Sequence, residues 1–250
     1  FAGTGPAGAR HHCRPGSRPG ATLLRLFRGI TVAPTMNPRL HTVGRTSGAP
    51  ALLVLLPGAY MSAADFVNAG FFTAVTRRRL PLDLLAVDLD LSLISSGEAL
   101  PALQENVLAP ARAAGCRHIW LGGISLGGLL ALCHCADAPG SIDGLCLLAP
   151  YPGSRLTARA IAQGGGLANW QPSAEELTDP EFRMWRWLQK PPPDFPVFVG
   201  YGAEDRFAAG MRRIADCFPP AASQVVPGGH EWPVWQILWK NFLDRRLLPV

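Results

Sequence analysis

The chain is poor in lysine and, at its start, in acid. Lys190 and Lys240 are its only lysines, and no Asp or Glu precedes Asp65. Seven arginines (Arg10, Arg14, Arg18, Arg25, Arg28, Arg39, Arg45) come before that point; removing them from the 23 basic residues leaves 16 against 18 acidic ones. The formal charge of +5 is thus a property of the N-terminal segment, and the body of the chain is slightly acidic. Arginines do not interleave with aromatics as a single-strand-binding surface requires, which argues against a nucleic-acid partner. C-x-x-C spacing is absent among the six cysteines. Cys133-His134-Cys135 fall on one predicted helix, where successive side chains point about 100° apart and cannot converge on one metal ion. Free thiols in a reducing, cytoplasmic setting are expected instead. Long apolar runs are missing too: Thr22–Val32 is broken by Arg25 and Arg28, which excludes both a membrane span and a secretory core. No fixed-period repeat occurs.

Hydrophobic residues make up 48% and charged residues 16% of the 250 positions, the balance of a folded globule. Residues 1–35, rich in Gly, Pro and Arg and without an initiating methionine, are read as a disordered or non-native extension; an Arg-rich, acid-poor presequence for targeting stays open. The folded domain is expected over 36–250. From Ala51 onward, short apolar runs alternate with helical patterns. Strands are predicted at Leu52–Leu56, Leu84–Asp88, Ile119–Leu121, Leu145–Ala149, Val197–Gly200 and Gln224–Val226. Helices are predicted at Ala63–Arg78, Leu100–Ala114, Leu126–Ala136, Phe207–Cys217 and Pro233–Arg245. This alternation predicts an α/β fold: a mostly parallel sheet flanked by helices on both faces. Residues 151–195 are too long for a simple crossover and read as a small helical lid, with a helix near Thr157–Ala162. Its Trp170 and Trp185 are candidates for substrate contact, against ordinary packing within the lid.

The stretch HIWLGGISLGGLLAL, His118–Leu132, joins a predicted strand to a predicted helix through Gly123-x-Ser125-x-Gly127. A turn that sharp strains its middle residue and brings strand and helix so close that side chains two positions either side would clash, which glycine avoids. The spacing is that of a nucleophile elbow, with a tightly packed glycine turn as the bland alternative. A serine hydroxyl needs a base within hydrogen-bond reach, and the base needs an acid to hold its tautomer. In a parallel sheet these groups should emerge at the carboxyl ends of the strands. Asp205 follows the strand Val197–Gly200, with Glu204 as a fallback and helix capping as the competing role for Asp205. His230 follows the last strand in the loop PGGHEW. The chain order Ser125, Asp205, His230 is that of this type of triad. The oxyanion donors are expected to be the N–H of Leu126, at the start of the helix after Ser125, and that of Ala59 or Tyr60 in the loop LPGAY. Tyr60 is also a candidate substrate contact. Asp88 and Asp90 are read mainly as loop braces, and Arg77-Arg78-Arg79 as a solvated helix end.

With LPGAY, GGISLGG, GAEDRF and GGHEW in this order, the chain from about Met36 to Arg246 resembles the α/β-hydrolase superfamily, most closely its small bacterial serine esterases and lysophospholipase-like members. Pro57-Gly58 stands where many members carry His-Gly. The resemblance implies a serine hydrolase that cleaves a small-molecule carboxylic ester or thioester through an acyl-enzyme on Ser125, without metal or organic cofactor. An acyltransferase of the same fold and a non-catalytic binding protein are the alternatives.

Overall fold

The structure is a computed structural model and describes residues 40–45 and 48–248; the expected extension over 1–35 lies outside the described residues. A seven-stranded sheet organises the molecule. In chain order its elements are β1 (Leu40–Arg45), β2 (Ala51–Leu56), α1 (Ala63–Asn68), α2 (Phe71–Arg77), β3 (Leu82–Leu89), α3 (Leu91–Ser95), α4 (Ala99–Leu103), α5 (Ala109–Ala113), β4 (His118–Ile124), α6 (Leu126–Asp137), β5 (Gly144–Leu148), α7 (Arg155–Gln163), α8 (Pro180–Leu188), β6 (Val197–Gly202), α9 (Ala208–Ala215), β7 (Ser223–Val226) and α10 (Trp232–Asp244). The strand order is β1-β3-β2-β4-β5-β6-β7. Strands β2 to β7 run parallel, and β1 closes one edge antiparallel to β3. All six predicted strands are present, and β1 is an addition.

The central strands are apolar throughout because both of their faces are covered; every residue of β2, β5 and β6 is buried. Trp120 of β4 is paired in register with Gly144 of β5. A Cβ on Gly144 would lie 2.5 Å from the indole, so the glycine makes room for the ring. On that face Trp120 and Phe198 both pack against Phe242 of α10. On the other face α6 lies on β4, with Gly127–Cys135 buried without interruption, and α8 packs over α6. A helix buried on all sides carries no amphipathic stripe, which explains the apolar run after Ser125.

The departures from prediction are local. The predicted helix Ala63–Arg78 is two helices, because Gly70 (φ 81°) turns left-handed between α1 and α2. The predicted Leu100–Ala114 is α4 and α5 joined through a π-helical turn, Gln104–Leu108. Residues 151–195 hold α7 and a second helix, α8, which starts from an Asp179 cap with Pro180 at its first position.

Candidate active site

Ser125 occupies the turn between β4 and α6 with φ 51° and ψ −113°, a conformation sparsely populated by non-glycine residues and held only where the surroundings impose it. The glycines beside it show what imposes it. A Cβ on Gly123 would lie 2.2 Å from the Gly127 carbonyl carbon, and one on Gly127 would lie 2.1 Å from the Leu56 carbonyl oxygen. At Gly123 the end of β4 touches the backbone of α6, and at Gly127 the start of α6 touches the backbone at the end of β2. The Ser125 N–H donates to Leu148 O (3.1 Å), and its carbonyl accepts from Leu129 N (3.1 Å) and Tyr151 N (2.9 Å), so the residue is tied to the end of β5 as well as to α6. Its hydroxyl makes no hydrogen bond among the described residues. The Leu126 N–H likewise has no backbone partner there, and it stands at the positive end of the α6 dipole.

Asp205 and His230 meet at the adjoining strand ends. His230 Nδ1 lies 2.6 Å from Asp205 Oδ2, with the carboxylate side chain fully buried. A carboxylate can only accept, so Nδ1 carries the proton and Nε2 of the neutral ring presents a lone pair. The other carboxylate oxygen, Oδ1, accepts from Phe207 N (2.8 Å). Asp205 therefore caps the turn into α9 with one oxygen and holds the histidine with the other. Glu204 faces elsewhere: its carboxylate accepts from Gly228 N and ties the β6 loop to the β7 loop. The imidazole stands edge-on between Phe207 (ring centroids 5.5 Å apart) and Trp235 (5.2 Å), so packing restricts the ring from both sides. Burial pushes the thiols of Cys133, Cys135 and Cys146 upward, keeping them protonated and poorly nucleophilic. No cluster of metal-ligating side chains occurs among the described residues.

A model of the alpha/beta hydrolase family matches residues 53–248. The chain belongs to that family. No curated protein matches this alpha/beta hydrolase by sequence. Its backbone is similar to a substrate-bound, fluorophosphonate-binding serine hydrolase of Staphylococcus aureus (13% identity, 82% of this chain and 86% of that one, TM-score 0.58). It is also similar to an S-formylglutathione hydrolase of Staphylococcus aureus (12%, 79% and 81%, TM-score 0.54) and to a monoacylglycerol lipase of Paleococcus ferrophilus (16%, 83% and 98%, TM-score 0.53). At these identities the likeness is one of fold.

In this alpha/beta hydrolase the loop after β2 runs beside Ser125: a Cβ on Gly58 would lie 3.5 Å from Ser125 Cβ, and Met61 N–H closes a turn onto Gly58 O (3.1 Å). Ala59 and Tyr60 are the two central residues of that turn. Tyr60 has φ 62° and is 94% exposed, so its phenol is packed on nothing. Trp170 is 2% exposed and packs against Phe182 and Gly164 inside the β5–β6 segment. Trp185, 3% exposed, donates from Nε1 to Pro152 O (3.1 Å) and lines a cleft beside the site. Asp88 accepts from Ala63 N and Asp90 from Ser92 N, each bracing a helix start. Arg78 is engaged bidentately by Asp244. The residues that sequence reasoning passed over are Tyr151, Phe207 and Trp235. Their proximity in sequence to Asp205 and His230 was a signal for the last two only. No helix among the described residues is long and apolar enough to cross a membrane.

Proposed function

We propose that this protein is a serine hydrolase that cleaves a carboxylic ester or thioester of a small molecule through an acyl-enzyme on Ser125. The observation that carries the reading is the Asp205–His230 pair at 2.6 Å, with its carboxylate buried, held at the carboxyl ends of the strands, where Ser125 sits in its strained turn. Ser125 Oγ attacks the carbonyl carbon while His230 Nε2 takes its proton. Asp205 keeps Nδ1 protonated and stabilises the imidazolium. The Ser125–His230 hydrogen bond forms as substrate binds, since catalytic hydrogen bonds often tighten only in that complex. The oxyanion is received by the N–H of Leu126, with Ala59 or Tyr60 as the second donor. Collapse of the tetrahedral intermediate expels the alcohol or thiol, which takes the proton from His230. Water, deprotonated by the same imidazole, then releases the acid and restores Ser125. The β5–β6 segment acts as a lid in this reading.

The test is labelling with a fluorophosphonate and location of the adduct by peptide mass spectrometry, in the wild type and in Ser125→Ala and His230→Ala. The expected result is an adduct on Ser125 that both substitutions abolish. A folded wild type that takes no label refutes the reading.

A further inference from the structure

A cleft of about 300 Å³ opens beside the Asp205–His230 pair, between the loop after β5, α7, α8 and α9. Tyr151 and Phe207 form the wall nearest the pair, with their rings 5.1 Å apart. Phe207 also contacts the His230 imidazole, and Tyr151 is hydrogen-bonded through its backbone to Ser125. The cleft is thus one aromatic ring from the imidazole. Three arginines line it from three places in the chain: Arg155 opens α7, Arg206 follows Asp205, and Arg213 lies on α9. Arg206 is held over the Phe207 ring at 4.7 Å, a cation–π contact that orients its guanidinium.

None of the three forms an ion pair among the described residues, where the arginine–aspartate pairs are those of Arg78, Arg112 and Arg183 at 2.6–2.7 Å; what sets the three apart from the other unpaired arginines is that they line one cleft together. Glu181, whose carboxylate lies beside the cleft residue Gly153, accepts from Ser154 N (2.7 Å) and Thr157 Oγ1 (2.9 Å) and pairs with none of the three arginines. Three cations lining one cleft outnumber that carboxylate and form a field that an anion relieves, and guanidinium groups suit carboxylate and phosphate oxygens because they offer paired donors. Through Trp185 and Arg213 the cleft adjoins a second cavity of about 620 Å³, which leaves room for bulk beyond the anion.

We propose that this cleft is an anion subsite, and that the substrate is an ester or thioester bearing a carboxylate or phosphate near the scissile bond. The proposal takes the hydrolase reading as its basis and names the substrate class of the same site. Two matched pairs separate the sources of the anion: 4-nitrophenyl hexanoate against 4-nitrophenyl hemiglutarate for an acyl carboxylate, and glycerol monobutyrate against its 3-phosphate for a phosphate on the alcohol. The wild type is expected to favour the anionic member of one pair at least tenfold in kcat/KM, with the preference shrinking as NaCl rises from 50 to 500 mM. The ratio is expected to fall to near one in Arg155→Gln/Arg206→Gln/Arg213→Gln, to survive partly in the corresponding lysine variant, and to be unchanged in Arg212→Gln, which lies on α9 outside the cleft. Turnover of the neutral esters without preference for the anion in either pair overturns the subsite and leaves the hydrolase reading standing. Binding of glutarate and glycerol 3-phosphate to Ser125→Ala, followed by ligand-detected NMR, reads the site without chemistry. Arginine-dependent binding in a protein whose Ser125 takes no label supports the anion site while refuting hydrolysis.

Discussion

Replacing Asp205 by asparagine separates the two tasks of its carboxylate. Oδ1 accepts from Phe207 N and Oδ2 from His230 Nδ1. In the amide only one atom can accept, and turning the NH2 group toward Phe207 N would set donor against donor. The amide oxygen therefore stays on Phe207 N and the NH2 group faces His230. The imidazole then keeps its hydrogen bond only by accepting at Nδ1, which moves its proton to Nε2 and removes the lone pair that would receive the Ser125 proton. The cap into α9 survives, so the loss of stability should stay within about 1 kcal/mol. Catalysis should fall by about 10⁴, equivalent to about 5.4 kcal/mol of transition-state stabilisation at about 1.36 kcal/mol per decade. The assay is the hydrolysis rate of a 4-nitrophenyl ester and the fluorophosphonate labelling rate, with urea unfolding run in parallel. Asp205→Ala, which removes both acceptors, should lose the cap as well and unfold at lower urea than Asp205→Asn. An asparagine variant that retains activity within tenfold of wild type refutes this account of the pair.

Gly127→Ala places a Cβ 2.1 Å from Leu56 O, against backbone that cannot swing aside, and should cost more than about 3 kcal/mol. Gly140→Ala meets nothing within 4 Å and bears only its φ of 81°, so about 1–2 kcal/mol is expected; equal urea midpoints for the two variants would contradict the packing argument. His134 is buried, which lowers its pKa, and its Nε2 lies 2.8 Å from Ser141 Oγ, whose own proton goes to Ala138 O. The folded state thus favours the neutral ring. The stability it contributes is present above the unfolded value of about 6.5 and is lost as pH falls through the lower folded value. His134→Gln should flatten the fall in unfolding free energy between pH 7 and 5, and an unchanged slope would count against the assignment. Asp244→Asn removes the Arg78 pair that ties α2 to α10; at so exposed a site the loss should be about 0.5 kcal/mol and should vanish in 1 M NaCl, whereas a loss above about 2 kcal/mol would mean the pair is structural.

Much of this molecule is local in origin and could be read from the chain. Short, nearly continuous apolar strands separated by helical patterns specify a parallel sheet, because strands such as β2, β5 and β6 can be apolar throughout only where both faces are covered. Gly123 could be interpreted because the contact it permits, strand end to helix start at Gly127, lies within five residues, whereas the contact of Gly127 with Leu56 at the end of β2 is set by the pairing of β2 with β4. The order Ser125, Asp205, His230 follows from which loops leave the carboxyl ends of the strands. Strand β1 escaped notice because an edge strand needs little apolar sequence, and the split at Gly70 because one glycine in a helical pattern is usually tolerated.

The tertiary structure decided what depends on loops that are distant in sequence. Glu204 and Asp205 are neighbours with the same chemistry, and only the meeting of the β6 and β7 loops sends one to Gly228 and the other to His230. Trp170 and Trp185 belong to one short segment; packing buries the first against Phe182 and sets the second in the wall of a cleft. Arg155, Arg206 and Arg213 show no common motif along the chain. Their convergence is a product of strand register and helix packing, which set side chains from separate elements at fixed positions in space, whereas periodicity and turn chemistry describe only neighbours along the backbone.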